Sequence, residues 1–296
     1  MRIVSLLPST TEILFALGRG DDVVGVTFEC NEPAEALTRR IVSTSALPEG
    51  LTPGEIDRIV TERMNAGEDL YRLDAGALAD LDPDVVVTQD LCAVCAVDVS
   101  EVDDALAHLG CSAEVVTIDP HRLDDVLESI HTLGRLTGAA DRAIELVDGL
   151  RERLDTLRSR VAGLERPPVL VVEWTDPALS PGHWLPDLVE AAGGECLLGD
   201  PGAKSRRVGW DEIAGLSPAA VVMAPCGYDL TGATALAEAA LATGHWPAGV
   251  PMWAVDADAS FVRPGPRLID GAETLAAILH PDLGPPDPTL AHLVRP

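Results

Sequence analysis

The sequence predicts an α/β protein of two lobes, each with a parallel central sheet, joined by one long helix. Short apolar segments alternate with helical periodicities in the first third of the chain, and the same alternation restarts after Pro167. A stretch of about 24 residues with helical periodicity separates the two regions. Strands separated by helices form parallel sheets with helices on both faces. A chain of 296 residues, 47% of them hydrophobic, is long enough for two modest domains.

The first lobe, residues 1–122, carries four predicted strands. The run Ser9-Thr10-Thr11-Glu12 shows the hydroxyl-then-Glu pattern that starts helices, and we expect the helix to end at Gly18. One of the strands is rich in valine and does not alternate, which is typical of a strand covered on both faces. The four strands are Ile3–Leu7, Val23–Thr27, Asp84–Thr88 (the valine-rich one) and Val115–Ile118.

A helical connector, residues 123–165, follows the first lobe. Apolar residues recur with helical spacing from Leu123 to Leu136 and again, after Gly138, as far as Val161. The second stretch would be about 36 Å long as a helix. Its other face is crowded with Arg, Glu and Asp, so we expect a rigid strut between the lobes.

The second lobe, residues 166–296, repeats the α/β rhythm. Its last residues, from Pro281, are rich in proline, and we expect them to lie loosely on the surface. The predicted strands are Val169–Trp174, Ala219–Ala224 and Met252–Val255, and the predicted helices are Trp184–Ala192, Ala233–Ala242 and Arg267–Leu279.

The charge balance excludes several classes of partner. Lys and Arg number 21 against 48 Asp and Glu, a formal charge of -27, which repels nucleic acids and anionic lipid surfaces. No apolar run approaches the roughly 20 residues that span a bilayer. Pro8 and Glu12 interrupt the N-terminal apolar stretch, and no cleavage site follows it. We therefore expect no nucleic-acid partner, no membrane insertion and a cytoplasmic location, with an extracytoplasmic location as the alternative if the native start lies upstream.

Polar and aromatic residues follow the predicted strands of both lobes. Ligands of open parallel sheets bind beyond the carboxyl ends of the strands, so these residues would line one cleft if the lobes open toward each other. The hydroxyls of Ser9, Thr10 and Thr11 would meet an anionic or carbonyl group of the ligand, or would only cap the helix. The other candidate ligand-binding residues are Glu29, Gln89, Trp174, His183, Trp184, Asp256, Phe261 and Arg263.

The cysteines suggest a metal site or a reactive thiol. Cys92-Ala-Val-Cys95 has the two-residue gap that lets two thiolates face one metal ion. Cys30 and Glu29 end a neighbouring strand and would complete a site for zinc or iron. The alternative is that the pair packs as small apolar residues at a helix start. In a reducing compartment, six cysteines are expected to be core residues, ligands or reactive thiols before disulfides.

Several second-lobe side chains suit a large flat ligand. Trp184 lies between Gly182-His183 and Pro186, and with Trp174 it would offer a flat face to a planar group. Arg263 would meet a carboxylate or amide of the ligand, against the alternative of a surface salt bridge. His183 would ligate a metal, although a loop histidine is more often only solvated.

These segments also resemble a known family. The blocks "RIVSLLPSTTEILFALG", "DDVVGVTFEC", "LDPDVVVTQDLC", "PGHWLPDLVEAAGG" and "RPGPRLIDGAE" are similar to the cobalamin/iron-siderophore class of ABC-transporter substrate-binding proteins, and most closely to its vitamin B12-binding branch. The resemblance implies the class III substrate-binding-protein fold, with two Rossmann-like lobes, one long connecting helix and a large ligand in the cleft. It places Trp184, Asp256, Phe261 and Arg263 where the family has aromatic and polar cleft residues.

Three functions follow as hypotheses. The leading one is a cytosolic binding protein that holds a corrinoid (cobalamin-like) or another large metal-containing ligand. The second is a cytosolic enzyme that uses a thiolate of Cys30, Cys92 or Cys95, or a metal they hold, with Glu29 as proton acceptor. The third is the substrate-binding component of an ABC importer, whose partner would be a permease. The sequence has no nucleophile elbow, P-loop, metalloprotease pair or dinucleotide fingerprint, which favours binding over catalysis.

Overall fold

The computed structural model describes residues 1–66, 68, 70–89 and 113–296. The chain divides into two compact units. The first comprises Met1–Pro120 with Leu127–Val147, and the second comprises His121–Val126 with Asp148–Pro296. The predicted α/β class with parallel sheets is confirmed. The lobe boundaries inferred from the sequence stay a prediction.

Among the described residues, a five-stranded, all-parallel sheet forms the centre of the first unit. The strands of this unit are β1 (Ile3–Ser5), β2 (Val23–Val26), β3 (Arg40–Ile41), β4 (Ser43–Ser45), β5 (Tyr71–Leu73), β6 (Val85–Thr88) and β7 (Glu114–Thr117). The sheet order is β3-β2-β1-β6-β7, and β4 and β5 form a separate antiparallel pair. Every residue of β1 and β6 is buried, as the unalternated valines of β6 predict.

The helix after β1 starts earlier than the sequence pattern predicts. Leu7 is the residue before the first turn, and no side-chain hydrogen bond caps this end of the helix. Pro8 takes the first helical position, where its fixed φ fits and its missing N–H removes no helical hydrogen bond. The prediction that Ser9, Thr10 or Thr11 caps this helix is therefore wrong, because all three lie inside it. The described helical segments of this region are Pro8–Ala16, Gly20–Asp22, Ala34–Thr38, Pro53–Ala66 and Ala75–Ala79.

Two successive helices, Leu123–Leu136 and Ala140–Val161, contain residues of both units. Their helical periodicity in the sequence is confirmed. The second has 22 residues and so is about 33 Å long. Asp187 caps the start of the helix Leu123–Leu136, because its Oδ2 accepts the Leu123 N–H at 3.0 Å. None of the helices in the described ranges is both long and apolar enough to cross a bilayer.

The second unit is also built on a five-stranded sheet. Its strands are β8 (Pro168–Val172), β9 (Trp174–Thr175), β10 (Ala178–Leu179), β11 (Glu195–Cys196), β12 (Ala220–Met223), β13 (Met252–Val255) and β14 (Ala291–Arg295). The sheet order is β11-β8-β12-β13-β14, with β9 and β10 as a separate antiparallel pair. The core side chains include Leu170, Val221 and Met252. The helical segments are Leu185–Ala191, Trp210–Ala214, Leu230–Ala242, Ala257–Ser260, Leu268–Leu279 and Pro281–Leu283.

The proline-rich C-terminal segment is not a loose tail, and that prediction is wrong. Residues 291–295 form β14, which pairs antiparallel with β13 from Met252↔Arg295 to Val255↔Ala291. The Arg295 guanidinium also donates to the Val250 carbonyl at 2.6 Å. The prolines stop short of this stretch, so its backbone N–H groups are free to join the ladder.

Candidate functional site

A network of four hydroxyls and one thiol lies beyond β1 and β2 in the first unit. Its members, all almost completely buried, are Ser5, Thr10, Thr11, Thr27 and Cys30. Thr11 Oγ1 lies 2.9 Å from Ser5 Oγ and 3.1 Å from Cys30 Sγ. Thr10 Oγ1 lies 2.7 Å from Ser5 Oγ, and Thr27 Oγ1 lies 3.2 Å from Cys30 Sγ. The structure thus brings three predicted site residues together, but as partners of one another in the interior.

The remaining first-unit candidates are Ser9, Glu29 and Gln89. Ser9 and Gln89 are buried. The Tyr71 hydroxyl donates to Glu29 Oε2 at 2.9 Å, and its ring lies 5.8 Å from the ring of Phe28. Phe28 is 36% exposed and therefore offers an aromatic face to solvent. Phe28 and Tyr71 were missing from the predicted site, although the position of Phe28 directly after a strand was a usable signal.

The predicted metal site of Cys30, Cys92 and Cys95 stays a prediction. Cys92 and Cys95 lie outside the described residues. Within the described ranges, no group of three or more His, Cys, Asp and Glu side chains is placed to hold a metal ion. The enzyme hypothesis depends on the same thiols and is likewise a prediction.

An aromatic pair and an ion pair lie beyond the carboxyl ends of β8, β12 and β13 in the second unit. The Trp174 and Tyr228 rings have centroids 5.9 Å apart. Arg263 Nη2 lies 2.7 Å from Asp258 Oδ2, and the Asp258 N–H donates to the Tyr228 carbonyl at 3.2 Å. We call Trp174, Tyr228, Asp258 and Arg263 the edge cluster.

The edge cluster is only partly open to solvent. Side-chain exposure is 11% for Arg263 and 22% for Asp258. Burial raises the pKa of Asp258, although the positive charge of Arg263 acts in the opposite direction. Arg263 thus forms a salt bridge, but a largely buried one and not the surface salt bridge given as the alternative, and the ligand contact predicted for it stays a prediction.

Three further second-unit candidates have structural partners. Asp256 Oδ1 accepts the Ala259 N–H at 2.9 Å and so caps the helix Ala257–Ser260. Trp184 Nε1 donates to the Phe261 carbonyl at 2.7 Å. Trp184 is 6% exposed and Phe261 is 0% exposed, so these rings pack inside the unit and do not present the flat faces expected from the sequence.

The carboxylate of Glu173, directly after β8, joins two loops of the second unit. Its Oε1 accepts the Gly182 N–H at 2.7 Å, and its Oε2 accepts the Ser205 hydroxyl at 2.5 Å. Burial raises the pKa of Glu173, although both hydrogen bonds act in the opposite direction. The ionised carboxylate is therefore held at a cost in folding free energy.

This cost predicts a pH-dependent stability difference between the protein and its Glu173→Gln variant. The folded pKa lies above the unfolded value of about 4.3, so the stability of the unmodified protein relative to the variant falls as pH rises above that value. Urea unfolding of both proteins from pH 4 to pH 7 measures the difference. Glu212→Gln is the control, because hydrogen bonds from Arg206 lower the pKa of Glu212, so its stability difference changes only below the unfolded value and should stay nearly constant from pH 5 to pH 7. A Glu173→Gln difference that stays constant across this range would contradict the prediction.

His183 lies in the turn before Trp184. Its φ is 49°, in the left-handed region. The centroid of its imidazole lies 5.6 Å from that of Trp184 and 6.0 Å from that of His121. His121 was not predicted from the sequence, because nothing in its local pattern indicates that it lies near His183.

Comparison with known proteins places this fold in a family. The family model described as "Periplasmic binding protein" matches residues 3–248. The chain is 25% identical over 298 residues to the uncharacterized ABC transporter substrate-binding lipoprotein YvrC of Bacillus subtilis, covering 95% of this chain and 80% of the relative. It is 22% identical over 297 residues to a vitamin B12-binding protein of Vibrio cholerae, covering 94% and 88%.

A solved structure shows the same fold. The crystal structure of a periplasmic heme binding protein from Pseudomonas aeruginosa aligns with a TM-score of 0.73 and 21% sequence identity, covering 100% of this chain and 98% of that one. Because the family model spans most of the sequence and the fold agrees along its whole length, this chain is a ligand-binding protein of the periplasmic binding protein family.

Proposed function

We propose that this protein binds a large metal-containing macrocycle, and that its ligand is a corrinoid of the cobalamin type. The observation that carries the proposal is the alignment with a vitamin B12-binding protein over 94% of the chain. The fold shared with a heme-binding protein supports the same broad class of ligand. Both ligands are large macrocycles around a metal, with polar groups at the rim.

The edge cluster supports a corrinoid over heme. The rim of cobalamin carries amides, which both donate and accept hydrogen bonds, and the Asp258–Arg263 pair offers an acceptor and a donor. The heme rim carries carboxylates, which suit Arg263 but are repelled by Asp258. The formal charge of -27 acts in the same direction, because it favours a neutral or cationic ligand over a dianion.

The first unit has an aromatic surface of its own. The partly exposed Phe28 ring offers apolar area to a flat ligand, and the buried Tyr71 ring packs against it. Glu29 lies next to Phe28 and accepts the Tyr71 hydroxyl. The cleft shared by both lobes stays a prediction from the sequence.

Titration of the purified protein with aquacobalamin, hemin and a ferric siderophore tests the proposal. We expect a saturable change in the corrinoid absorption spectrum at one cobalamin per protein, and calorimetry should give the same stoichiometry. If none of the three compounds gave a saturable spectral change or a heat of binding, the proposal would be overturned. Tight binding of hemin with no binding of cobalamin would replace the corrinoid by heme.

Replacing Arg263 by methionine should weaken cobalamin binding by at least about tenfold, since a hydrogen bond from a charged group contributes roughly 1.5–3 kcal/mol. Calorimetric titration of the variant measures this change. Arg153→Met is the matched control, because Arg153 is also ion-paired in the second unit, with Asp270 and Glu273. Both variants should lose some stability, but only Arg263→Met should lose affinity. Equal cobalamin affinity in the two variants would show that the edge cluster is not part of the ligand site.

The similarity to the Bacillus subtilis relative favours a second role, delivery of the ligand to an ABC permease. In that case the protein should co-purify with a permease and its ATPase from detergent-solubilised membranes. Detection only in the cytosolic fraction, without such a complex, would contradict delivery and would support the cytoplasmic location expected from the sequence.

A further inference from the structure

Two imidazole rings lie close together in the second unit, outside the edge cluster. The ring centroids of His121 and His183 are 6.0 Å apart, with 42° between the ring planes. His183 Nε2 is shielded from solvent and has no hydrogen-bond partner among the described residues. Because buried polar atoms are nearly always paired, this nitrogen requires an explanation.

The backbone holds both histidines in place. The His183 N–H donates to the Ala203 carbonyl at 2.6 Å, and the His183 carbonyl accepts the Gly202 N–H at 2.9 Å. These two bonds fix the turn in which His183 has its left-handed φ. The His121 N–H donates to Asp125 Oδ2 at 3.0 Å. The backbone hydrogen bonds of these two turns therefore hold the two rings close to each other.

The chemical state of His183 suits a metal ligand. Burial lowers the pKa of His183, and the positive charges of His121 and Lys204 act in the same direction. A neutral imidazole has one nitrogen with a free lone pair, which is the form that binds metal ions, and Nε2 of His183 is the shielded nitrogen without a hydrogen-bond partner among the described residues.

We propose that His121 and His183 together bind one divalent d-block metal ion, in the class of Ni²⁺, Cu²⁺ and Zn²⁺. A metal about 2.1 Å from one nitrogen of each ring lies about 3.2 Å from each ring centroid. Centroids 6.0 Å apart therefore permit both rings to reach the same ion. This site does not depend on the ligand proposed above.

The ligand set decides which metals are accepted. Two imidazoles favour Ni²⁺, Cu²⁺ and Zn²⁺, whereas Mg²⁺ and Ca²⁺ require oxygen ligands. In the part of the chain that the structure describes, no third His, Cys, Asp or Glu side chain joins the pair. Water or an added ligand would fill the other coordination positions. The positive charge of Lys204 opposes a bound cation, so its removal should strengthen binding.

Calorimetric titration with NiCl₂ tests the proposal, since thiols do not reduce Ni²⁺. The titrations use a Cys92→Ser/Cys95→Ser background, which removes two of the three cysteines predicted from the sequence to bind a metal; the third, Cys30, is buried. We expect one Ni²⁺ per protein. His183→Ala and His121→Ala should each weaken binding by at least about tenfold. Lys204→Gln should strengthen it, and His292→Ala, at an exposed histidine of β14, should leave it unchanged.

Two outcomes would overturn the proposal. One is no Ni²⁺ binding in the Cys92→Ser/Cys95→Ser background, and the other is undiminished binding in the His121→Ala/His183→Ala double variant in that background. His121 is exposed, so its replacement leaves the fold intact and decides the question even if His183→Ala fails to fold. The titration contains no corrinoid, so its failure is distinct from a failure of the proposed function.

Discussion

Gly271→Ala is expected to destabilise the second unit by about 3 kcal/mol, at the upper end of the usual cost of overpacking. A Cβ at this position would overlap the carbonyl oxygen of Ser260. That oxygen belongs to the backbone of the helix Ala257–Ser260, so no side chain can rotate away to make room. The helix Leu268–Leu279 would have to move away from its neighbour, and the buried side chains on that face would lose contacts.

The same substitution at Gly149 is the matched control. Gly149 lies in the helix Ala140–Val161, and a Cβ added there meets nothing within 4 Å. Alanine is the better helix former by about 1 kcal/mol, so Gly149→Ala should stabilise the protein. Urea unfolding followed by circular dichroism measures both variants. Changes of the same sign and size at the two positions would contradict the close approach at Gly271.

Trp184→Ala is expected to cost about 3–5 kcal/mol of stability, as usual for a large buried aromatic side chain. The indole is almost fully buried, and its Nε1 donates to the Phe261 carbonyl. Trp184→Phe keeps most of the packing but leaves that carbonyl without its donor, which should cost about 1–2 kcal/mol. Thermal and urea unfolding measure both values.

The same two variants separate an interior role of Trp184 from a ligand contact. If the indole supports the fold, Trp184→Phe should bind cobalamin as tightly as the unmodified protein while melting at a lower temperature. Reduced affinity with unchanged melting would contradict the interior role. It would return Trp184 to the ligand surface inferred from the sequence.

Elements with a clear apolar periodicity were predictable from the sequence. Met252–Val255 and Leu123–Leu136 have the bounds that their patterns indicate. The helix Pro53–Ala66 was missed, because it buries none of its residues and so has no apolar stripe to detect. β14 was also missed, because pairing with β13 is a tertiary event that a short stretch among prolines does not indicate.

The strand ends at which the candidate residues lie were predictable from the sequence, but the surroundings of those residues were not. The rule that ligands bind beyond the carboxyl ends of parallel strands located Trp174 and Arg263 correctly at such ends. Burial depends on packing from other segments, and so the interior positions of Phe261 and Thr11 were not visible in the sequence. His121 lies 62 positions before His183, and only the fold brings their rings together.

The enclosure of Cys30 has a consequence for thiol chemistry. Its sulfur is shielded by the fold and lies against two threonine hydroxyls. Alkylating reagents and peroxide can therefore reach the Cys30 sulfur only when the turn after β2 opens. The rate at which Cys30 reacts will report how often the first unit opens locally, and will say little about the intrinsic nucleophilicity of the thiol.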